Sequence, residues 1–372
     1  MLFNFNGIVI FDEFQWFQKI NPAFPFDLQR YWDMRQRKPT VIISGSIIGM
    51  VKKLFEEHGA PLYGRADIKI DLKPLKINAV SEILKDLGIA SPEEQIKFYL
   101  VFGGIPYYYS LMWKYSIKSL DEALIKLVFE DRAPLREELE AILREAFGRE
   151  HRTYAAILVA ISDGATKLTE IANKVGLKAT SLVPYLRDLD ELLDLIRMEK
   201  ILGRRKGRLY HINDYFTRFW FRYVYRNRST LEYDWKKVYE KCVQTVNSYF
   251  GECFEILSHE VLVMMAEKGK LPLRPTSVTK YYGRRPDRKV FDIDLIAYDE
   301  ITGDALLVET KWKKLTEKEV HQILYCLIEN SNYIRAKIRR KIYGIIAKRI
   351  EYKDKLKSEN IFLIDIEDII SQ

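Results

Sequence analysis

No apolar run of eighteen or more residues occurs in this 372-residue chain, and its start lacks a basic leader with a small-residue cleavage site. Neither a membrane helix nor a secretory signal is expected, and a cytoplasmic location follows by default. Cysteine is scarce: Cys242, Cys253 and Cys326 are an odd number with no C-x-x-C pair, which excludes a disulfide framework and a cysteine zinc site. Internal repeats and low-complexity tracts are absent. So is any G-x-x-x-x-G-K-[ST] run, whose backbone amides would cradle a triphosphate. "EKGKLP" (267–272) has Gly-Lys without the earlier glycine, the hydroxyl or a preceding strand. What remains is ample for folding, since 48% apolar and 13% aromatic residues can fill cores for two or three domains. Sixty basic against fifty-two acidic residues leave a net charge of +8, compatible with a polyanionic partner such as DNA.

The pattern changes along the chain. "GIVIFDE" (7–13) reads as a buried strand ending in two carboxylates, 26–38 as a helix, "TVIISGS" (40–46) as a strand and 47–59 as an amphipathic helix closed by Gly59. "GRADIKIDLKPL" (64–75) alternates like a third, edge strand, which completes α/β wiring with a parallel sheet. Residues 79–148 are helical throughout, broken at "FGGIPYYY" (102–109) by Gly103, Gly104 and Pro106. Residues 149–212 read as a winged helix-turn-helix, with Gly176 in the turn and Pro184 tolerated in a first turn capped at Thr180 or Ser181. Its basic wing tip, Arg204, Arg205, Lys206 and Arg208, suits phosphate contact, whereas Asp188, Asp190, Glu191 and Asp194 on the recognition helix would repel DNA. From 213 to 240 a linker helix turns Phe216, Phe219, Trp220 and Tyr223 to one face. A last α/β unit occupies 241–372.

Chemistry concentrates in "FDIDLIAYDEITGDALLVETKWKK" (291–314), two strands around a polar turn. Pairing Tyr298 with Ala305 sets Asp294 opposite Glu309 and Asp292 opposite Lys311, with the two carboxylates roughly 5 Å apart. Glu309 and Lys311 share a face because side chains repeat every two residues. Close carboxylates repel unless protonated or bridged by a hard cation, so Mg²⁺ with Lys311 nearby would suit phosphodiester hydrolysis. The helix over 246–265 offers Glu255 as a third carboxylate. The bland alternative makes all of these solvated surface charges, and His259 and His321 read as packing or surface residues.

In order, these segments resemble archaeal ATPases of the AAA-related signal-transduction NTPase type that carry a C-terminal restriction-endonuclease-like, PD-(D/E)XK domain. The resemblance covers almost the whole chain. It implies a multidomain fold: a partial P-loop NTPase α/β core over 1–78, a helical lid over 79–148, the winged helix, the linker and a nuclease-like α/β domain. "VIFDEFQWF" is similar to the Walker B strand, which implies Asp12 on the magnesium side and Glu13 polarising the attacking water. "VIISGS" implies a polar sensor at Ser44 or Ser46, "PLYGRAD" implies Arg65 near the γ-phosphate, and "GGIP" resembles the lid's Gly-x-Pro element. "FGECFE", "FDIDLIA" and "VETKW" imply Glu255, Asp294, Glu309 and Lys311 as the nuclease-like site. ATP is thus the cofactor the family implies, but the phosphate loop is missing. Its strand would lie mid-sheet, so residues 1–75 are expected to rearrange, to borrow a strand from an oligomeric partner, or to belong with an upstream polypeptide. Three functions follow as alternatives: a degenerate ATPase-family protein acting on nucleic acid, an Mg²⁺-dependent nuclease, and a non-catalytic DNA-binding or interaction protein.

Overall fold

The computed structural model describes residues 7–34, 39–45, 48–200 and 208–371, a mixed α/β chain with many helices and a five-stranded sheet. No helix among the described residues is long and apolar enough to cross a membrane.

At the N-terminus, β1 (Ile8–Phe11) pairs in parallel with β2 (Thr40–Ile43), Ile8 facing Thr40 and Phe11 facing Ile43. Helices α1 (Phe14–Ile20), α2 (Phe24–Met34) and α3 (Ile48–Glu56) surround them. A small core of Phe11, Phe14, Leu28, Tyr31, Leu54 and Leu62 holds the unit together, with Phe11 edge-on to Phe14, Phe17 and Phe24. The sheet's other apolar side chains face out: Ile8 is 63% and Ile10 65% exposed. The expected third strand over 64–75 does not form. Its alternation is real, but Ile68, Ile70 and Leu72 are exposed and none of the described strands pairs with the segment, so the pattern has no described sheet to serve. The segment ends instead on Gly104, where the Leu75 N–H donates to the Gly104 carbonyl at 2.8 Å. A Cβ on Gly104 would lie 2.0 Å from the Leu75 carbonyl oxygen, so the approach needs glycine.

Helices α4 (Ile77–Asp86), α5 (Pro92–Phe102), α6 (Pro106–Lys114), α7 (Leu120–Leu124) and α8 (Glu138–Phe147) follow, with a π-helical turn at Ile125–Phe129. As expected, the Gly103–Pro106 break separates α5 from α6, Pro106 opening the second helix where an N–H has no helical partner. Next come α9 (His151–Ser162), α10 (Leu168–Val175) and α11 (Ala179–Glu191), then the antiparallel pair β3 (Ile196–Lys200) and β4 (Arg208–Ile212). Helix α11 begins two residues before Ser181, which places Pro184 inside it rather than in the first turn, at the cost of one backbone hydrogen bond. A Cβ on Gly49 would lie 2.2 Å from the Glu191 carbonyl oxygen; this contact is where α3 meets the end of α11.

Helices α12 (Tyr215–Tyr223) and α13 (Arg228–Leu231) lead into α14 (Trp235–Glu267), whose 33 residues run for roughly 50 Å. Phe216, Phe219, Trp220 and Tyr223 of α12 are all buried, as their spacing requires. Buried polar tips find partners: the Tyr249 hydroxyl donates to the Leu100 and Tyr215 carbonyls, and Trp220 Nε1 to those of Leu135 and Arg136.

The C-terminal sheet runs β5 (Ser277–Arg284), β6 (Val290–Tyr298), β7 (Asp304–Leu315), β8 (Arg340–Ile350), β9 (Ile361–Asp365) in spatial order, antiparallel through β7 and parallel beyond it. The parallel step needs a crossover, which α15 (Glu317–Ser331) supplies; α16 (Lys353–Leu356) and α17 (Ile366–Ile370) close the chain. One continuous core runs from Ile77 to Ile369, joining the helices to one face of this sheet, while Ile293, Ile296 and Leu307 pack with Leu327 of α15 on the other.

Candidate functional site

The β6–β7 hairpin has the expected turn register, Tyr298 facing Ala305 and Leu295 facing Val308, and the ladder stops there. Asp294 and Glu309 are the next positions in that register, just beyond the last ladder pair. Asp294 Oδ2 accepts from the Thr310 N–H at 2.9 Å and from Thr310 Oγ1 at 3.1 Å, which fixes a carboxylate that is 8% exposed. Lys311 Nζ lies 3.0 Å from Glu309 Oε2 and 3.7 Å from Asp294 Oδ2, so the structure brings these three together. On its other edge Asp292 pairs with Tyr282 of β5, and the β6–β7 ladder does not extend to Asp292 and Lys311.

A further participant, Lys280, carries no mark in the sequence. The β5–β6 register shifts here: Thr279 pairs with Ile296 and Tyr281 with Ile293, so Lys280 alone stands opposite two residues of a bulge in β6, Asp294 and Leu295. Lys280 Nζ consequently sits 3.0 Å from Glu255 Oε2, 3.8 Å from Asp292 Oδ2 and 3.9 Å from Asp294 Oδ1. Glu255 joins the site through this lysine. Its neighbour Glu252 does not, being held by the Arg222 guanidinium at 2.6 and 3.1 Å. Trp312 packs its ring on Phe254 at 5.2 Å and so ties β7 to the helix that carries Glu255.

The electrostatics follow from crowding and burial. Burial first, then the Asp294 carboxylate, push Glu309 up to about 7 against the opposing pull of Lys311. Burial and Asp294 likewise raise Glu255, opposed by Lys280. Burial works to lower both lysines, but the surrounding carboxylates outweigh it and hold each above its ordinary value. Such a cluster can exchange a proton near neutrality and present two ammonium groups to an anion.

A hard divalent cation, which the resemblance implies here, needs carboxylate oxygens converging on one point. Among the described residues no group of three or more His, Cys, Asp or Glu side chains converges in that way. The donor types suit Mg²⁺, yet Lys280 and Lys311 stand between the carboxylates. As arranged, the cluster does not fit the ion.

At the N-terminal strand end, Asp12 Oδ1 accepts from the Glu13 N–H at 3.1 Å and from the Ser44 hydroxyl. Glu13 takes a left-handed backbone, φ 50°, and accepts from Gln15 Nε2. Arg65 grips Asp33 through Nε at 2.9 Å and Nη2 at 2.6 Å. The strand end thus gathers Asp12, Glu13 and Ser44, while Arg65 has a carboxylate where a phosphate was expected; Ser46 lies outside the described residues. These contacts do not build an ATP cradle.

Arg204, Arg205 and Lys206 also lie outside the described residues. Arg208 opens β4, exposed, with Nη1 3.3 Å from Met198 Sδ. Asp188 of α11 accepts from the buried Tyr154 hydroxyl at 2.8 Å. His259 Nε2 lies 3.1 Å from the Val278 carbonyl, and His321 is exposed, a packing and a surface residue as expected. A basic cleft of about 430 Å³ opens beside α9, its Arg152, Lys174, Arg226 and Arg228 opposed only by Asp163 among the charged lining.

Comparison with known proteins places this geometry in context. Residues 220–323 match DUF234, described as archaea bacterial proteins of unknown function, and that segment contains all six charged residues of the cluster. A Methanocaldococcus jannaschii protein described as uncharacterized protein MJECL04 is 33% identical over 380 residues, covering 98% of this chain and 81% of its own. Among solved structures, disulfide-formed AbfR (18% identity, 31% of this chain and 82% of that chain, TM-score 0.20) and protein VC1899 from Vibrio cholerae (12%, 66% and 55%, TM-score 0.27) are similar only at a level that carries no argument.

Proposed function

The chain belongs to the family of the Methanocaldococcus jannaschii protein MJECL04, with its DUF234 segment at 220–323, and from that premise we propose that it acts on nucleic acid through a phosphodiester-hydrolysing cluster inside that segment. The observation that carries this reading is the meeting of Asp294, Glu309 and Lys311 within ion-pair distance, with Glu309 pushed up to about 7. A carboxyl group at that value can take a proton from water and return it to a leaving oxygen. Lys311 and Lys280 would hold the phosphate's charge as it grows, with Asp294 keeping Lys311 in place and Thr310 keeping Asp294 in place. The test is incubation of plasmid DNA and structured RNA with the wild type, Asp294→Asn and Glu309→Gln. Cleavage by the wild type that both variants lose is expected; absence of wild-type cleavage on both substrates overturns the reading.

For holding the nucleic acid we assign 149–212 as a winged helix-turn-helix and give the contact to its wing, with Arg208 at the wing's described end. The basic cleft at Arg152, Lys174, Arg226 and Arg228 adds a second electropositive face. We read the remaining divisions as an ATPase-derived core over 1–78, a lid over 79–148, a linker over 213–240 and a nuclease-like domain over 241–372. Asp12 and Glu13 are then inherited carboxylates without a triphosphate to serve. Titration with Mg-ATP should give no saturable binding; tight binding would restore the ATPase reading.

A further inference from the structure

Four carboxylates, Glu255, Asp292, Asp294 and Glu309, share this cluster with two ammonium groups, Lys280 and Lys311. The two lysines are not equivalent. Lys311 is paired on one strand with Glu309 two residues away and reaches one further carboxylate, Asp294. Lys280 stands within 4 Å of three carboxylates, Glu255 of α14 and Asp292 and Asp294 of β6, at 3.0, 3.8 and 3.9 Å.

Its position is built rather than incidental. It stands opposite the β6 bulge at Asp294 and Leu295, while its neighbours Thr279 and Tyr281 are 8% and 3% exposed and pin the strand on either side. The Tyr281 hydroxyl accepts from the Arg335 N–H at 3.0 Å, and the Tyr282 ring lies 5.7 Å from the Lys280 ammonium. The backbone cannot easily retract the side chain, whose own exposure is 21%.

We propose that the Lys280 ammonium is the resident counter-ion of this cluster, holding the point between Glu255, Asp292 and Asp294 that a divalent cation would otherwise take, so that the cluster binds such a cation only when Lys280 is withdrawn. A divalent ion draws oxygens to about 2.0–2.6 Å, closer than an ammonium does, and cannot share its centre with a fixed positive charge. The lysine therefore does two things: it relieves the repulsion among the carboxylates, and it keeps metal out. Charge occupancy at this point is independent of whether the cluster cleaves phosphodiesters.

Mn²⁺ binding to the full chain, followed by electron paramagnetic resonance and by calorimetry, tests this with no activity assay. Lys280→Gln should bind Mn²⁺ at least tenfold more tightly than the wild type, Lys280→Arg should stay with the wild type, and adding Asp294→Asn to Lys280→Gln should abolish the gain. Lys280→Ala repeats the comparison should the glutamine variant fail to fold. Equal affinity in the wild type and the neutral variants overturns the proposal. So does tight binding by the wild type itself, which needs no variant. Both results would leave the cleavage reading standing, and absent cleavage would leave this one standing.

Discussion

Two sheets in this molecule carry neighbouring acids, and these have opposite fates. Asp12 and Glu13 finish β1 at a small parallel pair whose outer face is open, and local groups satisfy them: Ser44, Gln15 and a backbone N–H. Asp294 and Glu309 sit where β6 and β7 part within a five-stranded sheet covered by helices, and their partners are two lysines and a threonine. Burial makes the difference. The same residue type costs little where water can reach it and becomes chemically tuned where water is excluded. A motif therefore reports chemistry only with the packing that surrounds it.

The sharpest way to break this comparison is to remove one acid from each pair. Asp294→Ala would orphan the buried Thr310 N–H and Oγ1 and take a partner from Lys280 and Lys311. A loss of about 3–5 kcal/mol in urea unfolding is expected, the range for breaking a buried, hydrogen-bonded charge pair. Asp12→Ala should cost less than about 1 kcal/mol, since its partners are exposed. Equal losses would mean that the two pairs are packed alike.

A pH series sharpens the contrast further. Glu309 is pushed up to about 7 from its ordinary value of 4.5, so the folded chain holds its proton more tightly than the unfolded chain does. Its ionisation thus opposes folding: the protein is fully free of this penalty below about pH 4.5 and loses stability as pH rises toward 7, by up to about 3 kcal/mol. Glu309→Gln should flatten that part of the profile. Glu138, also raised to about 7 by burial and then by Asp214, titrates in the same window but belongs to the helical region. Glu138→Gln should remove a separate part of the slope and leave any cleavage unchanged, which distinguishes a site carboxyl from a buried structural one.

How much of this was legible follows from which signals are local. The hairpin register could be read because a polar turn and alternating apolar residues fix it within a few positions, and the α5–α6 break because Gly103, Gly104 and Pro106 act on their own backbone. Lys280 was illegible: it becomes a site residue by facing a bulge in β6 at Asp294 and Leu295, and nothing in "VFDIDLIAY" marks where the extra residue falls. The segment 64–75 failed in the other direction. Its alternation is a strand's, but strand formation needs a partner, and none of the described strands pairs with it.

Glycine contacts test how far the N-terminal unit depends on the rest. Gly49→Ala puts a Cβ 2.2 Å from the Glu191 carbonyl oxygen, so α3 must move off the end of α11 and forfeit the 3.1 Å bond from the Gly49 N–H to the Leu192 carbonyl. A cost of about 1–3 kcal/mol is expected. Limited proteolysis should then cut first within 57–75 while the region from Ile77 onward resists, because that region has its own continuous core. Uniform resistance would show that the contact is dispensable.

The smallest effect is expected at Arg65. It holds Asp33 with two nitrogens, but Asp33 is 46% exposed and Arg65 25%, so water and salt screen the pair. Arg65→Ala should shift urea unfolding by less than about 1 kcal/mol, and the difference should shrink as salt is raised from 50 mM to about 0.5 M. A larger, salt-resistant loss would mean that this end of the molecule is as closed as the other. The contrast between a solvated and a buried acid pair would then lose its N-terminal half.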